Sequence, residues 1–141
     1  MSELAALAPE QVSETTQNVL GKHLLIELYE CDREFLDQKE LIQEALVTSA
    51  KEAGATVVDS VIHRFNPHGV SGVVVIAESH LTVHTWPEHG YAALDVFTCG
   101  DKEILDDIQE RLVRAFSAKR CSSKLINRGI HIPPSLRGSG N

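Results

Sequence analysis

A serine hydroxyl, an imidazole and a thiol lie within one short stretch of this 141-residue chain. They are Ser79 in Glu78-Ser79-His80, His84 in Val83-His84-Thr85, and Cys99 in Thr98-Cys99-Gly100. A hydroxyl becomes a useful nucleophile when a neighbour takes its proton. Imidazole exchanges protons near neutrality, and a thiol is readily tuned toward the same range. Attack followed by proton transfer is therefore within reach of the set. Taken singly, each residue has an ordinary reading. Ser79 suits a strand edge or turn, His84 the polar face of a strand, and Cys99 the small buried end of a strand. Familiar arrangements of the same residues are missing. Ser79 stands in no Gly-x-Ser-x-Gly elbow, and a Cys99–His84 thiol hydrolase has no independent support. The seven histidines raise a metal. There is, however, no His-Glu-x-x-His and no paired-cysteine module, and His80 and His84 are well separated on a strand, so no metal is expected.

The elements that must position these groups follow from hydrophobic periodicity. Residues 23–30 are short and apolar after Gly21, which suits a strand. A helix follows: Asp37 and Glu40 have capping-box spacing, Leu41, Ile42, Ala45, Leu46, Ser49, Ala50 and Ala53 form its inward face, and Gly54 fits just past its end. Residues 56–65 read as a strand placing Val57, Val61 and Phe65 on one face with Asp59 and His63. Residues 66–69 make a turn. Residues 73–77 are apolar throughout, which implies burial on both faces. Residues 80–86 and 91–98 are further strands around a turn at 87–90. A second helix begins near Asp101, acidic at its start and basic toward its end, with Ile104, Leu105, Ile108, Leu112, Ala115 and Phe116 as its stripe. Residues 123–126 read as a last strand. Two helices can cover only one face of such a sheet, so a second copy of the chain is expected on the bare face.

Bulk properties narrow the class. The length favours one domain, expected over 21–127. A polar tail over 1–20, with a helical turn at 4–7, is expected before it, and a mobile tail over 128–141 after it. A net charge of −7 argues against nucleic acid. No apolar run is long enough for a bilayer, and no secretory signal is visible. Three cysteines, widely spaced, suggest free thiols in a reducing cytoplasm.

The stretch from Glu78 to Gly100 resembles the processing and active-site region of the prokaryotic S-adenosylmethionine decarboxylases. Flanking pieces match too: Gly21-Lys22-His23-Leu24, Tyr29-Glu30-Cys31-Asp32, His63-Arg64-Phe65, and Gly69-Val70-Ser71-Gly72-Val73-Val74. The likeness covers about residues 21–120, and no family motif is recognisable after Arg120. It implies an α+β two-layer sandwich, mainly antiparallel, with two helices on one face and a dimer made through the other. It also implies a proenzyme that cuts itself between Glu78 and Ser79, turning Ser79 into a covalent pyruvoyl group. That carbonyl would form a Schiff base with the substrate amine and hold the carbanion left when CO2 departs.

By the same resemblance, Ser71 and His84 assist processing, and Cys99 protonates the α-carbon of the substrate after decarboxylation. Phe65 stacks on the adenine and Glu88 binds the ribose hydroxyls of S-adenosylmethionine. Glu30 and Cys31 receive no role. The implied product is the aminopropyl donor of spermidine synthesis. Two other readings remain at this point. One is the same machinery acting on ornithine or arginine, against which Phe65 and Glu88 speak. The other is an uncleaved regulatory homologue, against which the joint presence of Ser71, Ser79, His84 and Cys99 speaks.

Overall fold

The computed structural model describes residues 19–130. The chain runs β1 (Gly21–Tyr29), a 3-10 turn (Phe35–Asp37), α1 (Lys39–Glu52), β2 (Val57–Arg64), β3 (Val70–Ile76) and β4 (Ser79–Trp86). A second 3-10 turn (Pro87–His89), β5 (Tyr91–Thr98), α2 (Lys102–Ala115) and β6 (Arg120–Arg128) complete it. Most of the tails expected at 1–20 and 128–141, including the helical turn at 4–7, lies outside the described residues. The six strands form one sheet in the order β2-β3-β4-β5-β1-β6, antiparallel at every step. This is the expected α+β arrangement, with both helices on one face. No helix among the described residues is long and apolar enough to cross a membrane.

Period two sorts the side chains. Leu24, Ile26 and Leu28 of β1, Val70, Val74 and Ile76 of β3, Leu81 and Val83 of β4, and Ala92, Leu94 and Val96 of β5 are buried under the helices. Ile42, Leu46 and Ala50 of α1, Leu105, Ile108 and Leu112 of α2, and Phe116 fill the other side of that core. Fully burying a side chain of this size stabilises by about 1.5–3 kcal/mol, so this layer holds the sheet flat against its helices. Gly54 closes α1 with φ +97°, the left-handed conformation glycine adopts without strain.

Four local expectations are corrected. The capping box does not form: Gln38 precedes α1 and makes no side-chain cap. Asp37 instead turns to the β2–β3 connection, where it accepts from the Gly69 amide at 2.9 Å and from Arg64 at 2.7 Å. In β2, a register shift between Val57 and Asp59 breaks the predicted face. Such a bulge sends residues beyond it to the opposite side. Val57 packs against the core, whereas Val61 and Phe65 stand 64% and 47% exposed on the helix-free face. Residues 73–77 are not covered on both sides within the chain, and Val75 is 42% exposed, because no layer lies over it. The last strand extends past 123–126 at both ends and pairs with β1 along its whole length.

Candidate active site

Antiparallel register brings Glu78, Ser79 and Cys99 together. β3 and β4 are joined by a tight turn in which Ile76 pairs with Ser79. Glu78 sits at its apex with φ +60°. A non-glycine residue there costs on the order of 1–2 kcal/mol, held in place by the strands on either side. Because His80 pairs with Phe97, the residue just beyond β5 falls beside Glu78. Cys99 Sγ donates to the Glu78 carbonyl oxygen at 3.5 Å. Ser79 Oγ donates to Thr98 Oγ1 at 3.0 Å, and Thr98 Oγ1 also accepts from the Gly100 amide at 2.9 Å. These residues border a pocket of about 270 Å³. The bond between Glu78 and Ser79 thus has a hydroxyl on one side, a thiol on its carbonyl and room beside it.

The opposite end of the same hairpin carries the second group. Ser71 and His84 are paired across β3 and β4, and Ser71 Oγ shares a 2.9 Å hydrogen bond with His84 Nδ1. Phe65 leaves β2 beside them, its ring edge-on to His63 at 4.5 Å. Glu88 lies in the 3-10 turn after β4, with His68 Nε2 3.1 Å from its carboxylate. Its own backbone N–H, then the His68 imidazole, hold the Glu88 carboxyl below the usual range. Phe65, Ser71, His84, Trp86 and Glu88 border a pocket of about 350 Å³. An ionised carboxylate under two aromatic walls can take a ligand with a flat ring and hydroxyl donors.

The two groups do not meet in one chain. His84 lies five residues along β4 from Ser79, about 17 Å at strand rise, and an odd interval points the two side chains to opposite faces. The structure therefore collects every residue expected at the site into two halves. Sequence reasoning missed Thr98, which takes the Ser79 hydroxyl, and Trp86, which shares the face of His84. Period two carries a signal for Trp86. The bond from His68 to Glu88 joins two separate turns and leaves no such signal.

The strand order and the site halves now stand beside known proteins. The sequence model of the S-adenosylmethionine decarboxylase family matches residues 22–129, and the chain belongs to that family. It is 58% identical over 101 residues to the S-adenosylmethionine decarboxylase proenzyme of Thermotoga maritima, covering 72% of this chain and 78% of the relative. It is 51% identical over 113 residues to the proenzyme of the same name from Clostridium kluyveri, covering 80% and 90%. The crystal structure of the adenosylmethionine decarboxylase of Aquifex aeolicus superposes with a TM-score of 0.77 at 36% identity, over 88% of this chain and 99% of that one. The family match runs past Arg120 and takes in β6, where no motif had been recognisable.

Proposed function

We propose that this chain is an S-adenosylmethionine decarboxylase that cuts itself at Glu78-Ser79 and works through the pyruvoyl group so formed. The observation that carries the reading is the Glu78 carbonyl, set on a left-handed turn residue, touched by the Cys99 thiol and followed by the Ser79 hydroxyl. Ser79 Oγ attacks the Glu78 carbonyl carbon, and the peptide C–N bond gives way to an ester. Loss of the Ser79 α-proton breaks the Cβ–O bond and frees the fragment ending at Glu78. Water then replaces the nitrogen of residue 79, which leaves as ammonia, and a ketone remains. A planar amide resists such attack. The thiol on its oxygen and the strained turn favour it here.

The donor set at the turn fits the making of this group. Its carbonyl supplies the electron sink that ordinary side chains lack when CO2 leaves an α-amino acid. The surrounding residues do the rest. Cys99 delivers the proton to the substrate α-carbon. Phe65 stacks on the adenine near the sulfonium cation. Glu88 accepts from the ribose hydroxyls. Ser71 and His84 carry the processing proton. An aromatic wall and an ionised carboxylate suit a nucleoside better than ornithine or arginine, and a regulatory homologue has no use for the hydroxyl and thiol at Glu78.

The separation of the two halves points to a dimer. Leu25, Val61, Phe65, Val75 and Trp86 are exposed on the helix-free face, and covering that face with a second copy removes them from water. Placed so, Ser71, His84, Phe65 and Glu88 of one chain face the Glu78-Ser79 bond and Cys99 of the other. The enzyme works in the cytoplasm and its product feeds spermidine synthesis.

Intact-protein mass spectrometry of freshly folded chain tests the reading. Two fragments are expected, ending at 78 and beginning at 79, the latter short of the serine mass by the conversion to a ketone. Borohydride with S-adenosylmethionine then leaves an adduct on the second fragment. A chain that stays whole while releasing CO2, or an adduct on a lysine, refutes it.

A further inference from the structure

Three strands contribute to a polar group in the middle of the helix-free face. Asp95 Oδ2 lies 2.6 Å from His23 Nε2 and 3.2 Å from His80 Nε2, and Thr82 Oγ1 donates to Asp95 Oδ1. The register creates the meeting: Thr82 faces Asp95, while His23 and His80 flank Phe97. Burial works against the charged Asp95 carboxylate, but donation from Thr82, His23 and His80 outweighs it and holds Asp95 below its ordinary range. His80 also stacks on Phe97, with centroids 5.8 Å apart and planes 16° apart. The Phe97 ring closes over Gly21, where an added Cβ would lie 2.7 Å from it.

The ligand atoms of His23, His80 and Asp95 lie within 4.8 Å of one another, close enough for a metal. The polarity is wrong for one. Arg128 Nη1 is 3.1 Å from His23 Nδ1, and a guanidinium only donates. His23 Nδ1 is therefore the acceptor, and its proton sits on Nε2, toward Asp95. A metal-bound imidazole does the reverse, giving its outer N–H to an acceptor.

His80 directly follows Ser79. We propose that Asp95 and His80 form a positioning clamp for the reacting chain end, an inference that rests on the self-cleavage reading above. Before the cut, the clamp fixes the residue that carries the Ser79 peptide, so the hydroxyl stays beside the Glu78 carbonyl. After the cut, residue 79 is a chain terminus, and an untethered terminus frays. Asp95, Phe97 and Cys99 alternate onto one face at the end of β5. One strand thus holds the clamp and the thiol at a fixed spacing.

The test uses the full chain with His80→Ala, Asp95→Asn and His80→Gln, the last keeping an N–H at the reach of Nε2. Amide hydrogen exchange at residues 80 and 81, the rate of self-cleavage, and kcat and KM of the cleaved fraction are measured. In His80→Ala and Asp95→Asn, exchange rises, and cleavage and kcat fall on the order of tenfold to a hundredfold, the cost of a misplaced reacting group. KM stays near the parent value, and His80→Gln recovers most of the loss. The proposal is overturned if His80→Ala exchanges and cleaves like the parent. It is also overturned if His80→Gln fails as badly as His80→Ala at equal melting temperature, or if the parent holds a stoichiometric divalent metal that His80→Ala releases. A parent chain that never cleaves defeats the functional reading alone, because the exchange comparison still judges the clamp.

Discussion

The two ends of the β3–β4 hairpin are built in opposite ways. At the turn, backbone geometry is everything: Glu78 is left-handed, its carbonyl meets Cys99, and the Ser79 hydroxyl is tied to Thr98. At the open end, side chains dominate: Phe65 and Trp86 wall a pocket that holds Ser71, His84 and Glu88. Bond rearrangement needs a carbonyl fixed within fractions of an ångström, which a tight turn between paired strands provides. Ligand binding needs area and complementary charge, which the spread of side chains beyond a strand's end provides. A rigid strand cannot bring its own ends together, which is why the proposed site draws its second half from another copy of the chain.

Removing the hydroxyl at the turn has the largest expected effect. Ser79→Ala remains one chain on a denaturing gel and releases no CO2, with the open-end pocket intact. Partial cleavage at the same bond would show that the turn alone drives the reaction. The division of labour itself is tested by co-folding Ser79→Ala with His84→Ala. Neither variant is expected to cleave alone. Together, the His84→Ala chain is cut, because its partner supplies the imidazole. Failure of cutting in a verified mixed dimer would place both halves of the site within one chain.

Cys99→Ala separates the two jobs proposed for the turn. It is expected to cleave, more slowly, and then to lose turnover by about 10²–10⁴, the usual contribution of a positioned general acid. KM should move little, and normal kcat would remove the thiol from proton delivery. Glu88→Gln acts from the other end. It weakens charge-assisted hydrogen bonds to the ligand, read as a rise in KM for S-adenosylmethionine with self-cleavage unchanged. A loss confined to kcat would put Glu88 at the reacting atoms instead.

How far this division could be read beforehand depends on distance along the chain. β5 matches its sequence reading at both ends because its alternation is unbroken from Tyr91 to Thr98. The expected site residues were picked out through the local strings around Ser79 and Ser71. Their sorting into two ends depends on register, which a single β-bulge near Val58 is enough to change. That bulge moved Val61 and Phe65 away from Val57, and nothing in the alternation announces it. Asp95 was invisible as a hub because its partner His23 is 72 residues away. Asp37 was legible as a cap by spacing, yet Arg64 and the Gly69 amide compete for the same carboxylate and win.

Asp37 yields the smallest and most selective prediction, because it braces the open end only. Its carboxylate ties the 3-10 turn before α1 to the Arg64–Gly69 segment that carries Phe65 and His68. The Arg64 guanidinium and the Gly69 amide hold it below its ordinary value. A group with a depressed folded pKa contributes stability above its unfolded pKa, about 3.9 for Asp, and loses it as pH falls through the lower folded value. Asp37→Asn keeps the shape and removes the charge. Solvent access limits the cost to about 1 kcal/mol. Urea midpoints of parent and variant should differ by a constant amount from neutrality down to about pH 4, then converge in more acidic solution. A gap that persists unchanged in strong acid would mean that shape, not charge, was lost. The same variant should raise KM through a loosened Phe65 while cutting itself at the parent rate, since Glu78, Ser79 and Cys99 lie at the far end of the hairpin. Slowed cleavage would instead couple the two ends through the sheet, and the division between them would fail.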